Sequence, residues 1–310
     1  MAAPEGPPGG IGMKRPPRIS VVIASVVGAP FIDECLDSLE RQAKNCGAEV
    51  IVVACGAAEY AARIAGKFSW VRVIHRTERE TVPDLRRHGV EEASGDIVAI
   101  IEEHCLAAPD WLQQAMEAHA GGDFGVVGGP VVDYAYPRLR DWVVYFCEYN
   151  SYLPPWQEGG AHDLGSANIA YSRAVLLKYK DLLGAGYWEA GLHPRLMADG
   201  VKFHAVPAMV VHHRGPFNYG YYLRQRYWFS RAFAGARKLP PSRKAAYLLA
   251  SPLVPFLLLA RMALRVSKQH CHMDKFAQSL PLLIPALIVY AAGECVGYLA
   301  GPGDALLKVE

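Results

Sequence analysis

GDIVAIIEEHCLAAPDW, Gly95–Trp111, is the stretch on which the reading of the whole chain turns. Ile97, Val98, Ala99, Ile100 and Ile101 form an unbroken, β-branched apolar run of strand length, introduced by Gly-Asp. A run without alternation predicts a central parallel strand covered on both faces. Glu102, Glu103 and His104 stand at its carboxyl end. Open α/β sheets take ligands just outside that end. Two carboxylates and an imidazole placed there suit a divalent cation that carries phosphate ligands. A solvated strand end with incidental charges is the plainer alternative, and the surrounding sequence decides between them.

Upstream of this strand the pattern alternates between the two periods. Ile19–Ala24 and Glu49–Ala54 are strands, and Val71–His75 is a third, short one. Between them PFIDECLDSLERQ places Ile32, Cys35, Leu36 and Leu39 on one helical face, with acids near its start. Glu59–Gly66 and Pro83–Ala93 supply two further helices. This β-α-β-α order predicts a doubly wound, mostly parallel α/β sheet with right-handed crossovers. Downstream, a helix from Trp111 to about His119 precedes Phe124–Val132, which is expected to be one strand with a glycine pair. DWVVYFCEYNSYLPPWQ is aromatic and weakly periodic. GSANIAYSRAVL gives a loop, a short strand and a helix start. GYWEAGLHPRLMADG predicts a helix closed by Gly200, and Lys202–His213 the last strands.

The 310 residues allow one large domain and an addition to it, and a net charge of +2 argues against a nucleic-acid surface. Seven scattered cysteines without Cys-x-x-Cys fit a reducing compartment and no disulfide framework. The His270-Cys271-His272 cluster reads as a loop and not as a metal site. Residues 1–17, rich in Pro and Gly, are expected to be a disordered tail. Residues 18–215 make the α/β domain.

From 216 to 244 the character changes. Aromatics alternate with Arg224, Arg226, Arg231, Arg237 and Lys238, as in a basic helix lying on a membrane surface. Residues 245–310 hold two hydrophobic segments and a tail. Ala245–Ala260 carries sixteen residues without a charge and Ala277–Gly293 seventeen, at the short end of the roughly 17–25 that a spanning helix uses. Pro252, Pro255, Pro281 and Pro285 are expected to kink them. These features predict membrane association.

The chain resembles glycosyltransferase family 2, which has the GT-A fold, over about Ile19–Arg214. ISVVIAS and FIDECLDSLERQ are similar to the family's opening strand and helix, and ASGDIVAIIEEHCLAAPDWL to the segment with its Asp-x-Asp metal motif. GSANIAYSRAVL resembles the acceptor-side segment. YWEAGLHPRL resembles the helix that begins with the catalytic Glu-Asp, here Trp188-Glu189, and VPAMVVHHR the closing strand that ends in a metal-side histidine. RQRYWFSR is loosely similar to the Gln-x-x-Arg-Trp region of membrane-bound members. Two places depart from the pattern. Ala24-Ser25-Val26-Val27 stands where a Pro-x-x-Asn-like turn meets the base, and Ala54-Cys55 replaces an acidic pair.

What the resemblance implies is a single displacement at the anomeric carbon, with inversion. A sugar leaves a nucleoside diphosphate, UDP or GDP, for the hydroxyl of a lipid or lipid-linked acceptor. It assigns Glu103, His104 and His213 to Mn2+ or Mg2+, with a histidine ligand favouring Mn2+, and Glu189 to the general base. Burial beside Trp188 would raise the Glu189 pKa and a helix start would lower it. Ser25, Cys55, Arg86, Glu102 and Arg226 are expected on the nucleotide-sugar side, and Asp163, Asn168 and Trp188 on the acceptor side. The catalytic domain would face the cytoplasm, where nucleotide sugars are. The departures motivate an alternative, a GT-A-like scaffold of weakened activity that binds membrane or a partner glycosyltransferase. A nucleotidyltransferase ranks lower, because SVVGAP lacks the glycine-rich basic loop that a triphosphate needs.

Overall fold

The computed structural model describes residues 19–162, 164–215 and 218–310. The expected N-terminal tail and Asp163 lie outside the described residues. The first half alternates strand and helix: β1 (Ile19–Ser25), α1 (Phe31–Cys46), β2 (Glu49–Cys55), α2 (Ala58–Lys67), β3 (Arg72–Arg76), α3 (Val82–Glu92) and β4 (Ile97–Ile101). Next come β5 (Cys105–Ala107), α4 (Trp111–Gly121), β6 (Val126–Gly128), β7 (Val131–Asp133), α5 (Leu139–Tyr149), β8 (Gly159–Gly160), β9 (Asn168–Ser172), α6 (Arg173–Lys178) and α7 (Lys180–Leu183). After α8 (Leu192–Ala198), β10 (Phe203–Ala205) and β11 (Val211–His213), four helices close the chain: α9 (Tyr219–Ala236), α10 (Pro241–Ala250), α11 (Val254–Gln269) and α12 (Met273–Ala300).

Eight strands make the main sheet in the order β3-β2-β1-β4-β9-β6-β10-β8, and β5-β11-β7 form a small second sheet. β3, β2, β1 and β4 are mutually parallel, while β9 runs against β4 and β6. β4 is buried throughout, as its uniform apolar run requires. Strand order reverses at β1, whose neighbours are β2 and β4. The crevice at the carboxyl ends of β1 and β4 is therefore the switch point where such sheets bind ligands.

Three stretches differ from the sequence expectation. Phe124–Val132 is two short strands in two sheets, because the chain bends at Gly129-Pro130. A Cβ on Gly129 would lie 1.9 Å from the Met209 carbonyl oxygen, so only glycine lets the backbones meet there. The aromatic stretch contains a helix, α5, whose Trp142, Tyr145, Phe146 and Tyr149 recur at helical spacing and are buried. α8 begins at Leu192, so Glu189 sits in the preceding turn, closed by Ala190 and Gly191 N–H groups on the Tyr187 carbonyl.

The basic aromatic helix turns one face to the rest of the fold. α9 packs along α12, where a Cβ on Gly293 would meet the Tyr227 carbonyl oxygen at 2.5 Å. Small residues let the two backbones touch. Tyr222, Arg226, Ser230, Ala232 and Ala234 of α9 are buried. The helices α11 and α12 share a core with one face of the main sheet, through Met262, Val266, Leu283, Ala286 and Leu287. Both apolar segments reach spanning length, Pro241–Gln269 as 29 residues and Met273–Ala300 as 28. They differ in burial, 11% against 44% over their most apolar windows, so the first is the exposed one. Pro252 sits in a 3-10 turn at Ser251–Leu253 between α10 and α11, whereas α12 runs on past Pro281 and Pro285.

Candidate active site

A cavity of about 330 Å3 opens at the carboxyl ends of β1 and β4. One wall is Glu102, Glu103, His104 and Arg86. Ser166 and Glu189 also line the cavity, with Glu148 and Tyr149 from α5 and Tyr222 and Phe229 from α9.

Glu102 and Glu103 are sequence neighbours with different surroundings. The β1–β4 register pairs Ile19 with Ile97 and Val22 with Ile100, and the same offset of 78 brings Glu103 beside Ser25. Its carboxylate is 3% exposed and accepts four hydrogen bonds: from Val26 N–H and Val27 N–H at 2.7 Å, Ser25 Oγ at 2.6 Å and Gly28 N–H at 3.0 Å. Glu103 thus clamps the loop after β1 and does not present a carboxylate for the metal role assigned to it. Ser25 is a partner in this clamp.

Glu102 turns into the cavity. It accepts from Tyr149 Oη at 2.7 Å and Arg86 Nη2 at 3.3 Å, and Oε2 lies 3.2 Å from His104 Nε2. Burial pushes its pKa up, but the His104 hydrogen bond and charge, Arg86 and Tyr149 outweigh that and hold it well below the usual carboxylate range. Burial disfavours charge on His104, yet its hydrogen bond and attraction to Glu102, with smaller attractions to Glu103 and Glu148, leave its pKa raised. His213 stands behind it, fully buried, with the two rings edge to face at 5.2 Å and Tyr136 Oη at Nδ1. Burial, and then the His104 charge, push His213 well below its ordinary value, so it is neutral.

Glu102, His104 and Cys105 bring three ligand atoms within 4.8 Å of one another. Cys105 is fully buried, burial raises its thiol pKa, and it does not line the cavity. The donors left facing the cavity are a carboxylate oxygen and imidazole nitrogen. This set fits a small divalent cation of borderline softness, which would replace the proton between Glu102 and His104.

Elsewhere in the cavity lining the Glu189 Oε1 accepts from the Ser166 N–H at 2.9 Å and from Ser166 Oγ. Ser166 Oγ in turn accepts from Arg86 Nη1 at 2.8 Å. Arg86 is 6% exposed, lies over the Trp188 ring at 5.9 Å, and connects Glu102, through Ser166, to the Glu189 carboxylate.

The other expected residues are elsewhere. Trp188 is buried and donates its indole N–H to the Leu183 carbonyl at 2.8 Å. Asn168 is buried too. It accepts from Trp111 Nε1 and donates to the Pro130 and Met209 carbonyls, tying β9 to the chain crossing between the sheets. Both are framework and do not face an acceptor. Cys55 ends β2 with its thiol on the Glu78 carbonyl at 3.2 Å, outside the cavity. Arg226 is not among the residues that line the cavity. It is 4% exposed, donates to Glu148 at 2.9 Å and lies over the Tyr290 ring at 4.6 Å.

Sequence reasoning missed Ser166, Tyr149 and Glu148. Ser166 lay inside the quoted GSAN segment. The i, i+4 recurrence of Tyr145 and Tyr149 was the available signal for α5. Val309 and Glu310 also line the cavity, stitched there by Arg79 on the Leu307 carbonyl and Glu310, and by Tyr221 on Glu310. Nothing in the sequence placed them near it.

A doubly wound sheet with a cation-fitting pair at its switch point and a further carboxylate, Glu189, in the same cavity defines an α/β protein of the GT-A type. The chain belongs to Glycosyl transferase family 2, whose family model matches residues 20–180, just over half of it. It is 29% identical over 127 residues to Glycosyltransferase AglE of Haloferax volcanii, covering 39% of this chain and 41% of that one. It is 28% identical over 178 residues to Glucosyl-dolichyl phosphate glucuronosyltransferase of the same organism, covering 52% and 54%. The chain thus spans about half or less of these relatives. Among solved structures it is similar to the mannosyltransferase PcManGT of Pyrobaculum calidifontis, in complex with GDP-Man and Mn2+. There the TM-score is 0.54 at 19% identity, covering 92% of this chain and 88% of that one. It is also similar to GalNAc-T7 with UDP, GalNAc and Mn2+, with a TM-score of 0.51 at 14% identity, covering 72% and 51%. At these identities the likeness shows the fold.

Proposed function

We propose that the protein is an inverting glycosyltransferase that moves a sugar from a UDP- or GDP-sugar to the hydroxyl of a lipid or lipid-linked acceptor. The observation that carries this reading is the Glu102–Arg86–Ser166–Glu189 chain, which links a cation-fitting pair to a separate carboxylate in one cavity. The diphosphate gains charge as it leaves; Glu102 and His104, with His213 behind them, would hold a divalent cation, Mn2+ or Mg2+, which would supply the compensating charge. Arg86 sits beside that position as a fixed donor. Glu189 is the base that takes the acceptor proton as the hydroxyl attacks from the face opposite the leaving group, which inverts the anomeric centre.

The lipid-type acceptor is supported by the name of the glucuronosyltransferase relative. The exposed apolar face of α10 and α11, with Leu249 81% and Phe256 71% exposed, supports association with a membrane. The catalytic domain would then lie on the cytoplasmic side. The test is release of UDP or GDP by the full chain from a panel of UDP- and GDP-sugars, with Mn2+ or Mg2+, in the presence of polyprenyl phosphate or a glycosylated polyprenyl phosphate. Transfer with inversion, read by proton NMR of the product, is the expected result. Turnover with retention, or with water-soluble acceptors alone, would contradict the reading.

A further inference from the structure

We propose that Ser166 is the positioning residue of the candidate base and that Arg86 fixes the direction of its hydroxyl. This rests on the reading of Glu189 as that base. An arginine only donates, so the 2.8 Å contact from Arg86 Nη1 makes Ser166 Oγ the acceptor. The single Ser166 hydroxyl proton is thereby directed away from Arg86 and onto Glu189 Oε1. The Ser166 N–H reaches the same oxygen at 2.9 Å. One residue therefore holds Oε1 with two donors, while Oε2 carries no hydrogen bond among the described residues and Glu189 lines the cavity.

The frame behind this contact is stiff. Arg86 is buried, rests over Trp188, and is held at its other nitrogen by Glu102. Ser166 is itself 5% exposed and the next strand begins two residues on, at Asn168. The turn that bears Glu189 is free of helix backbone, since α8 starts at Leu192, so the orientation of the carboxylate depends on Ser166. The assignment makes Oε2 the proton acceptor and Ser166 the group that aims it, without contact to the reacting atoms.

The test compares wild type, Ser166→Ala, Ser166→Thr and Glu189→Gln in the full chain. Steady-state release of UDP or GDP is measured from the donor that the panel above selects, with Mn2+, and Tm is recorded for each variant. Ser166→Ala is expected to lower kcat by about ten- to a hundredfold, with donor KM changed by less than about twofold, since misaiming by a fraction of an ångström acts on the chemical step. Ser166→Thr keeps the hydroxyl and is expected to recover kcat to within about threefold of wild type. An unchanged kcat in Ser166→Ala beside an inactive Glu189→Gln overturns the positioning role and leaves the base assignment standing. A rise in KM alone, or equal losses of kcat and Tm in the alanine and threonine variants, also overturns it. Full turnover in Glu189→Gln, or no turnover with any donor, removes the base reading and this inference with it.

Discussion

The two halves of the cavity wall are built on different logic. On the sheet side, the chain leaving β4 brings two adjacent acids to the cavity with different partners. Glu103 is consumed by four loop donors, while Glu102 meets His104, Arg86 and the cavity. On the helical side, α5 and α9 meet at a single buried ion pair, Arg226 with Glu148, inside aromatic rings. The sheet side holds chemistry in strand termini. The helical side holds it through packing between elements far apart in sequence. On the sheet side, an acid that looks available in sequence is committed to structure, and its neighbour is the one that meets His104 and Arg86.

The first way to break this comparison is Glu189→Gln. If Glu189 is the base, turnover is expected to fall by about 10²–10⁴-fold with the fold intact, measured as nucleoside diphosphate release and checked by Tm. Glu103→Ala addresses the sheet side. Removing the acceptor of four donors is expected to cost about 3 kcal/mol of stability, seen as a lower Tm, and to loosen the β1–α1 loop. A neutral outcome would mean that Glu103 is not the clamp described here.

The helical side predicts an asymmetry. Glu148→Ala strands a guanidinium that is 4% exposed and is expected to cost about 3 kcal/mol. Arg226→Met fills the same aromatic cage without a charge, leaves Glu148 to the cavity, and is expected to cost less than about 1.5 kcal/mol. Equal losses in a pair of melting curves would show that the pair, and not the buried cation, governs this contact.

The smallest effect concerns how the apolar helices attach. His272, in the turn before α12, lies 3.1 Å from Asp133 at the end of β7, and this hydrogen bond is the main cause that lowers the Asp133 pKa from 3.8. A depressed carboxylate pKa contributes stability that is complete above the unfolded value and lost as pH falls through the folded one. Below about pH 4, wild type is therefore expected to lose a few tenths of a kcal/mol to about 1 kcal/mol that Asp133→Asn does not lose, read from Tm against pH.

These contrasts also explain what the sequence disclosed. The β-α alternation and the fully buried β4 were legible because a parallel sheet imposes length and composition on each segment. The cavity's place followed from strand ends alone. Which of Glu102 and Glu103 the loop after β1 engages was not legible, because one residue of register exchanges their roles. Asn168 looked like a polar site residue, yet three buried partners hold it between the sheets, and no local pattern announces those contacts. Arg226 looked like a surface or phosphate cation for the same reason: its partner Glu148 is 78 residues away, on a helix hidden in an aromatic stretch. The Ser166–Glu189 contact joins a loop to a turn, both outside regular elements, where periodicity carries no information.

The account rests on Glu102 and His104 forming the cation-dependent diphosphate site. It is tested most directly by the Tm of the detergent-purified full chain with UDP or GDP, with and without Mn2+. Ligand bound at about 100 times its Kd stabilises the folded state by about 2.7 kcal/mol, which a melting curve shows. The account predicts a rise in Tm with one of the two nucleotides that requires Mn2+ and disappears in His104→Ala. A rise that persists without metal or in His104→Ala, or no rise with either nucleotide, would contradict it.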